Sequence, residues 1–313
     1  MSRHQRDRID ALLRHPRPER PPTVEELRAG FRKLMAGMLV PHDRIRTTPA
    51  TLGDRPALRV EPTTPAPATA AAAAAETGTI LYFHGGGWVF GSPETALSLT
   101  GHLVARTGLG AYSVDYRLAP EHPFPAAIED TLSAYRALLD RGTDPADVVF
   151  AGDSAGGGLA VTTCLAARDA GLPQPAAVLA LSPSVDATRS GESMVTKEGI
   201  DPIFTRADLD HTGAMYLAGA DPRDPLLSPA VHADLRGLPP MLIQVGANEL
   251  LLDDSTRLAA RAAAAGVDVI LDVTAGVPHV FQCFAGVLDE ADEALDRAAL
   301  FLKQRVRKQG VKE

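Results

Sequence analysis

Cysteine is scarce: the 313 residues include only Cys164 and Cys283. Two cysteines cannot build the multi-bridge framework of a small secreted domain. Both stand among apolar neighbours and read as small core residues. Basic charge is in deficit, with 31 Lys and Arg against 39 Asp and Glu and a formal net charge of −8. That balance excludes a phosphate-tracking surface and with it a nucleic-acid partner. Long apolar runs are missing as well. Nothing approaches the ~20 residues of a membrane span, and the charged residues 1–10 lack the apolar centre of a signal peptide. The expectation is a soluble cytoplasmic protein. Aromatics make up 5% of the chain, with a single Trp, so helices are expected to pack closely on a sheet of Val, Leu and Ile. No internal repeat is visible.

What is present is enough apolar sequence, 45%, for one large core. Residues 1–45 read as N-terminal cap helices. Thr23 and Glu26 make a capping box, and Val24, Leu27, Phe31, Leu34, Met35 and Met38 follow helical spacing. That stripe reads as core packing, or as a roof over a pocket formed by residues 35–40. Residues 43–61 suggest two short strands. The Pro/Thr/Ala-rich stretch 62–79 reads as a flexible connection, because an isolated run of six alanines is a marginal helix. From residue 79 onward, strands at 79–83, 111–114, 148–151, 176–181, 241–245 and 267–273 alternate with helices at 93–106, 126–141, 155–170, 255–265 and 289–306. Near-continuous apolar strands separated by helices predict an α/β fold with a mostly parallel sheet covered on both faces. The rhythm breaks between 182 and 239. A cap insertion at about 184–225, with a helix at 205–217, fits there within a core of 46–313.

Chemistry gathers at strand ends. Gly152-Asp153-Ser154-Ala155-Gly156 joins a strand to a helix through a turn that only glycine-flanked backbone permits, leaving Ser154 exposed as candidate nucleophile. His84-Gly85-Gly86-Gly87-Trp88 follows another strand. Its Gly85 and Gly86 N–H groups, with that of Ala155, could form an oxyanion hole, and His84 reads as a structural group that holds the loop. His279 follows the last strand and is the candidate base. One turn later comes Cys283, but two ligands make no metal site, and no metal is expected. The acid comes from the loop after 241–245. Glu249 sits at the strand end, while Asp253 and Asp254 stand where a helix begins and read as its N-terminal caps. Glu249 is therefore the candidate acid, with Asp253 in reserve. The order Ser, acid, His is that of the α/β-hydrolase fold. Trp88, Phe90, Met38, Met215, Tyr216 and Leu217 are candidate lining residues of an apolar substrate pocket.

Taken with Asp115-Tyr116-Arg117-Leu118-Ala119-Pro120-Glu121, the glycine loop and the serine turn resemble the hormone-sensitive-lipase-like (bacterial family IV) esterases of the α/β-hydrolase fold, over residue 79 to the C-terminus. The resemblance implies a carboxylesterase that acts through an acyl-enzyme, no cofactor, and a helical cap. It carries Ser154 over as nucleophile, His279 as base, and Gly85, Gly86 and Ala155 as oxyanion donors. It also implies a possible homodimer through an edge strand, residues 267–273. Many members carry aspartate where this chain has Glu249, a departure that bears on the acid. Arg117 and Glu121 are expected to tie active-site loops together. The expected partner is a small-molecule ester with short-to-medium acyl chains. A lactone hydrolase would use the same residues, and a non-catalytic small-molecule receptor is a remote alternative. Nothing suggests a peptide-tracking groove.

Overall fold

The apolar runs assemble into one eight-stranded sheet in the computed structural model, which describes residues 2–14, 20–63 and 78–306. The strands are β1 (Ile45–Leu52), β2 (Arg55–Pro62), β3 (Thr79–Phe83), β4 (Gly110–Val114), β5 (Val148–Asp153), β6 (Ala177–Leu181), β7 (Met241–Gly246) and β8 (Val269–Thr274). Their spatial order is β1-β2-β4-β3-β5-β6-β7-β8. β3 to β8 run parallel, while β1 and β2 form an antiparallel hairpin against β4. The helices are α1 (Ser2–Leu13), α2 (Val24–Met35), α3 (Leu97–Thr107), α4 (Ala126–Asp140), α5 (Ala155–Asp169), α6 (Ser193–Thr196), α7 (Arg206–Leu217), α8 (Pro229–His232), α9 (Leu252–Ala264) and α10 (Asp289–Arg305). Of the connection expected at 62–79, residues 64–77 lie outside the described residues.

Alternation along each strand divides the core. Leu81, Phe83 and Phe150 point to one face, where Tyr135 of α4 meets Phe150 edge-on and Leu159 of α5 packs. Ile80, Tyr82 and Val149 point to the other face, against Leu103 of α3 and Leu295 of α10. β3, β5, β6 and β7 are buried along their whole length, as expected for central parallel strands.

Two sequence expectations shift. α3 begins at Leu97 rather than 93, because Ser92 and Thr95 close a side-chain turn first: Ser92 N–H donates to Thr95 Oγ1 at 2.9 Å. No residue of the α2 stripe is fully buried, but Val24 and Leu27 pack partly buried against one core cluster and Leu34, Met35 and Met38 against the other. The helix is pinned where Arg28 pairs with Glu121 at 2.7 Å and donates to the Val89 carbonyl at 3.0 Å. Glu121 thus ties a loop to α2, and Arg117 ties the same loop to Asp130 of α4.

The sheet sets the site by its winding. The chain goes from β3 to β4 on one side and returns to β5 on the other, so the carboxyl ends of β3 and β5 face a crevice at the switch point. β6, β7 and β8 then follow in order and bring their own carboxyl ends alongside.

Candidate active site

Ser154 stands between β5 and α5 with φ 54° and ψ −119°, a region costly for any residue with a Cβ. The turn is this tight because backbone crosses backbone. A Cβ on Gly156 would lie inside the contact radius of the Phe83 carbonyl oxygen, and one on Gly152 would meet Gly156 itself. Ser154 N–H donates to the Leu181 carbonyl at 2.8 Å, and its carbonyl accepts from Ser184 N–H at 3.0 Å. Ser154 is left partly exposed while its neighbours Asp153 and Ala155 are buried. Ala155 is the first residue of α5, so its N–H is one of the helix's free donors, at the positive end of the dipole. Gly156→Ala is expected to destabilise the fold by more than about 4 kcal/mol, read as loss of a cooperative thermal melt.

The glycine loop departs from expectation at one position. Gly85 N–H is not free: it donates to Asp153 Oδ1 at 3.0 Å, the same oxygen that accepts from Tyr82 OH at 2.7 Å. The oxyanion assignment of Gly85 is therefore corrected. Gly86 and Gly87 follow with φ of 120° and 58°, conformations open to glycine, and neither N–H has a recorded partner among the described residues. Asp153 fastens the loop to the nucleophile's own strand. Burial pushes its carboxyl up to about 6, against the pull of the Tyr82 and Gly85 bonds. His84 is structural, as its position suggested. Its Nδ1 contacts the Gly85 carbonyl at 2.8 Å, its ring stacks on Tyr116 at 4.1 Å, and burial lowers its pKa to about 4.

His279 and Glu249 come together behind this rim. His279 Nδ1 is hydrogen-bonded to Glu249 Oε2, and both side chains are buried. The other oxygen, Oε1, accepts from Ser182 Oγ at 2.9 Å and from Gly246 N–H at 2.8 Å. Ser182 in turn accepts from Val280 N–H at 3.1 Å. Leu181 and Ser182 at the end of β6 are thus bonded to Ser154 on one side and to the His279 loop on the other. His279 Nε2 is buried and has no hydrogen-bond partner among the described residues. Burial opposes the imidazolium, but the Glu249 charge and hydrogen bond outweigh it and raise the pKa above the ordinary value. Ser182 was not singled out from sequence.

Asp253 and Asp254 are not helix caps, because α9 begins at Leu252 with no side-chain cap. Asp253 Oδ2 accepts from Ser193 N–H at 2.9 Å, and Asp254 Oδ2 accepts from Val185 and Asp186 N–H at 2.8 and 2.9 Å. Both carboxylates fasten the segment after β6 and stand apart from His279.

The candidate lining residues divide. Trp88 stacks on Tyr216 at 4.4 Å, and Phe90 packs on Phe31 of α2 at 4.9 Å. Tyr216 is itself 2% exposed, a buried support for Trp88 rather than a wall. Met215 and Leu217 are partly buried against the same core. Met38 lines a different cavity, of about 240 Å³, with Ile9, Leu12 and Cys283, against the opposite face of the sheet. Phe204, which sequence reading missed, meets the His279 ring edge-on at 5.2 Å. Among the described residues no group of three or more His, Cys, Asp or Glu is placed to hold a metal, and no helix is long and apolar enough to cross a membrane.

Comparison with known proteins agrees with this geometry. The family profile of the alpha/beta hydrolase fold matches residues 80–283. An acetyl-hydrolase of Streptomyces hygroscopicus is 45% identical over 225 residues, 72% of this chain and 75% of the relative. The carboxylesterase NlhH of Mycobacterium tuberculosis is 37% identical over 234 residues, 72% of this chain and 73% of the relative. A solved esterase of the bacterial hormone-sensitive lipase family superposes with a TM-score of 0.89 at 39% identity, covering 97% of this chain and 99% of that one. The chain belongs to the hormone-sensitive-lipase-like carboxylesterases of the α/β-hydrolase fold.

Proposed function

We propose that this esterase cleaves short-to-medium acyl esters through an acyl-enzyme on Ser154. His279 Nε2 takes the Ser154 proton as Oγ attacks the ester carbonyl. Glu249 holds Nδ1–H and stabilises the imidazolium. The oxyanion is met by the N–H groups of Gly86, Gly87 and Ala155, a set in which Gly87 replaces the Gly85 of the sequence reading. His279 then protonates the leaving alcohol, and water repeats the cycle in reverse. The observation that carries this reading is the shared rim: the strained serine is bonded to Leu181, and Glu249 and the His279 loop are bonded to the next residue, Ser182.

α1, α2 and the 184–225 segment act in this reading as a cap. In support, Arg28 pins α2 to the Val89 carbonyl, Thr212 of α7 lies 3.5 Å from where a Cβ of Gly87 would stand, and Phe204 covers His279. The acetyl-hydrolase relative supports a short acyl group. A panel of p-nitrophenyl esters of rising chain length tests the range; turnover is expected to peak among short acyl chains, and a peak at long chains would contradict it.

A base must be neutral to accept a proton, so kcat/KM is expected to fall as pH drops through the raised His279 pKa. The acid limb should have its midpoint above about 6.5. A midpoint below that value would show that Glu249 does not act on His279.

β8 is an edge strand that exposes Ile270 (50%), Leu271 (37%) and Val273 (46%), and unpaired edges invite pairing. A homodimer across β8 is expected, with light scattering giving twice the 33.0 kDa of the chain.

A further inference from the structure

Arg189 is a buried cation without a counter-charge in contact. It sits after β6 with φ 53° and is 9% exposed. Its Nη1 reaches Ser184 Oγ and its Nη2 reaches the Leu209 carbonyl, both at 3.5 Å, the long limit of a hydrogen bond. Among the described residues it has no recorded ion pair. Each of the nearby carboxylates commits at least one oxygen to other donors. Asp254 Oδ2 holds the N–H groups of Val185 and Asp186, and Asp186 Oδ2 pairs with Arg257 at 3.1 Å. Burial pushes the Asp254 carboxyl up to about 7, although the Arg189 charge pulls the other way.

A guanidinium cannot shed its proton, and it offers five donors in a planar fork. Burying it with two long bonds to neutral oxygens leaves most of that capacity unused, which is unfavourable unless a partner arrives. The partner that fits is a carboxylate, which takes two parallel N–H bonds.

Arg189 also lies beside the reacting centre. Its acceptor Ser184 donates its backbone N–H to the Ser154 carbonyl at 3.0 Å. Above it is Gly213 of α7, where an added Cβ would stand 3.5 Å from Nη2. A Cβ there would make only an ordinary contact, so α7 passes over the guanidinium without pressing on it. The adjacent Thr212 is the residue that approaches Gly87.

Resting on the esterase reading above, we infer that Arg189 is a specificity-determining residue that binds a carboxylate carried by the ester substrate. The substrate class is then anionic esters, either half-esters of short dicarboxylic acids or acyl esters of hydroxy acids. The chemistry of the ester cleavage itself is unchanged.

Binding to the Ser154→Ala protein tests this without turnover. The probes are ethyl hydrogen succinate, with the charge on the acyl side, and O-acetyl-lactate, with the charge on the alcohol side. Each is compared with its neutral branched-alkyl isostere by calorimetry. At least one charged probe is expected to bind about 10- to 100-fold more tightly than its isostere, and the arm that does so identifies the side. That preference should vanish when Arg189→Met is added to Ser154→Ala. If the Met variant gives no cooperative melt, Arg189→Gln replaces it, with the same loss expected. No preference in either arm, or a preference that survives loss of the guanidinium, overturns the inference. Failure of the wild type to hydrolyse any ester would instead overturn the esterase reading, and this binding measurement would still stand on its own.

Discussion

Ser154→Ala is expected to lower kcat by about 10⁵- to 10⁶-fold on any ester the wild type hydrolyses, the scale seen when a nucleophile is removed from a triad that works as a unit. The fold should not notice. Alanine keeps the Cβ, so the strain at φ 54° is the same in both proteins, and the turn is held by backbone bonds to Leu181 and Ser184 that the substitution leaves in place. Among the described residues the Ser154 hydroxyl has no hydrogen-bond partner, so stability should change by less than about 0.5 kcal/mol. Steady-state rates beside a thermal melt check both parts. Retained turnover with an intact melt would remove Ser154 from the chemistry.

Glu249→Gln is expected to cost about 10⁴-fold in kcat, whereas Asp253→Asn should cost less than about tenfold. The difference follows from what surrounds each carboxylate. Glu249 is an acceptor on both oxygens, taking His279 on Oε2 and Ser182 and Gly246 on Oε1. A glutamine must turn its NH₂ either toward His279, selecting the wrong tautomer, or toward two donors that it cannot satisfy. Asp253 accepts from Ser193 N–H, and its loss loosens the segment after β6 without touching the imidazole. The acid limb of kcat/KM should also move down in Glu249→Gln, because burial, which disfavours the imidazolium, is then opposed by less charge. The reverse ranking at equal stability, with Asp253→Asn losing far more than Glu249→Gln, would transfer the role to Asp253.

The parts of the site that could be read from sequence are those where local backbone geometry dictates residue type. Gly152 and Gly156 admit no Cβ because chain crosses chain there, so the serine turn is visible as spacing alone. The alternation of apolar strands and helices likewise makes the parallel sheet legible, and the end of each strand marks where chemistry can sit. What was misread depends on contacts distant in sequence. Gly85 and Gly87 are the same residue type in one run, and only the adjacency of β3 and β5 shows that Asp153 claims the Gly85 N–H. A signal was available in Asp153 itself, since a carboxylate ending an otherwise apolar strand must find donors when buried. Asp253 and Asp254 looked like caps because first-turn acids usually are, yet their partners lie some 60 to 70 residues earlier. Met38 shares helical spacing with α2, but packs toward the opposite face of the sheet from the serine helix. Ser182 has no motif at all; its role exists only because β6 lies between β5 and β7.

The measurement that bears most directly on the shared rim is a crystal structure of the protein inactivated by a p-nitrophenyl alkylphosphonate, which mimics the tetrahedral intermediate. The phosphorus should be bonded to Ser154 Oγ, the phosphoryl oxygen should accept from the N–H groups of Gly86, Gly87 and Ala155, and His279 Nε2 should lie within hydrogen-bond reach of the ester oxygen, with Glu249 still on Nδ1. An adduct on another residue, or one on Ser154 with the His279 ring out of reach, would contradict the account.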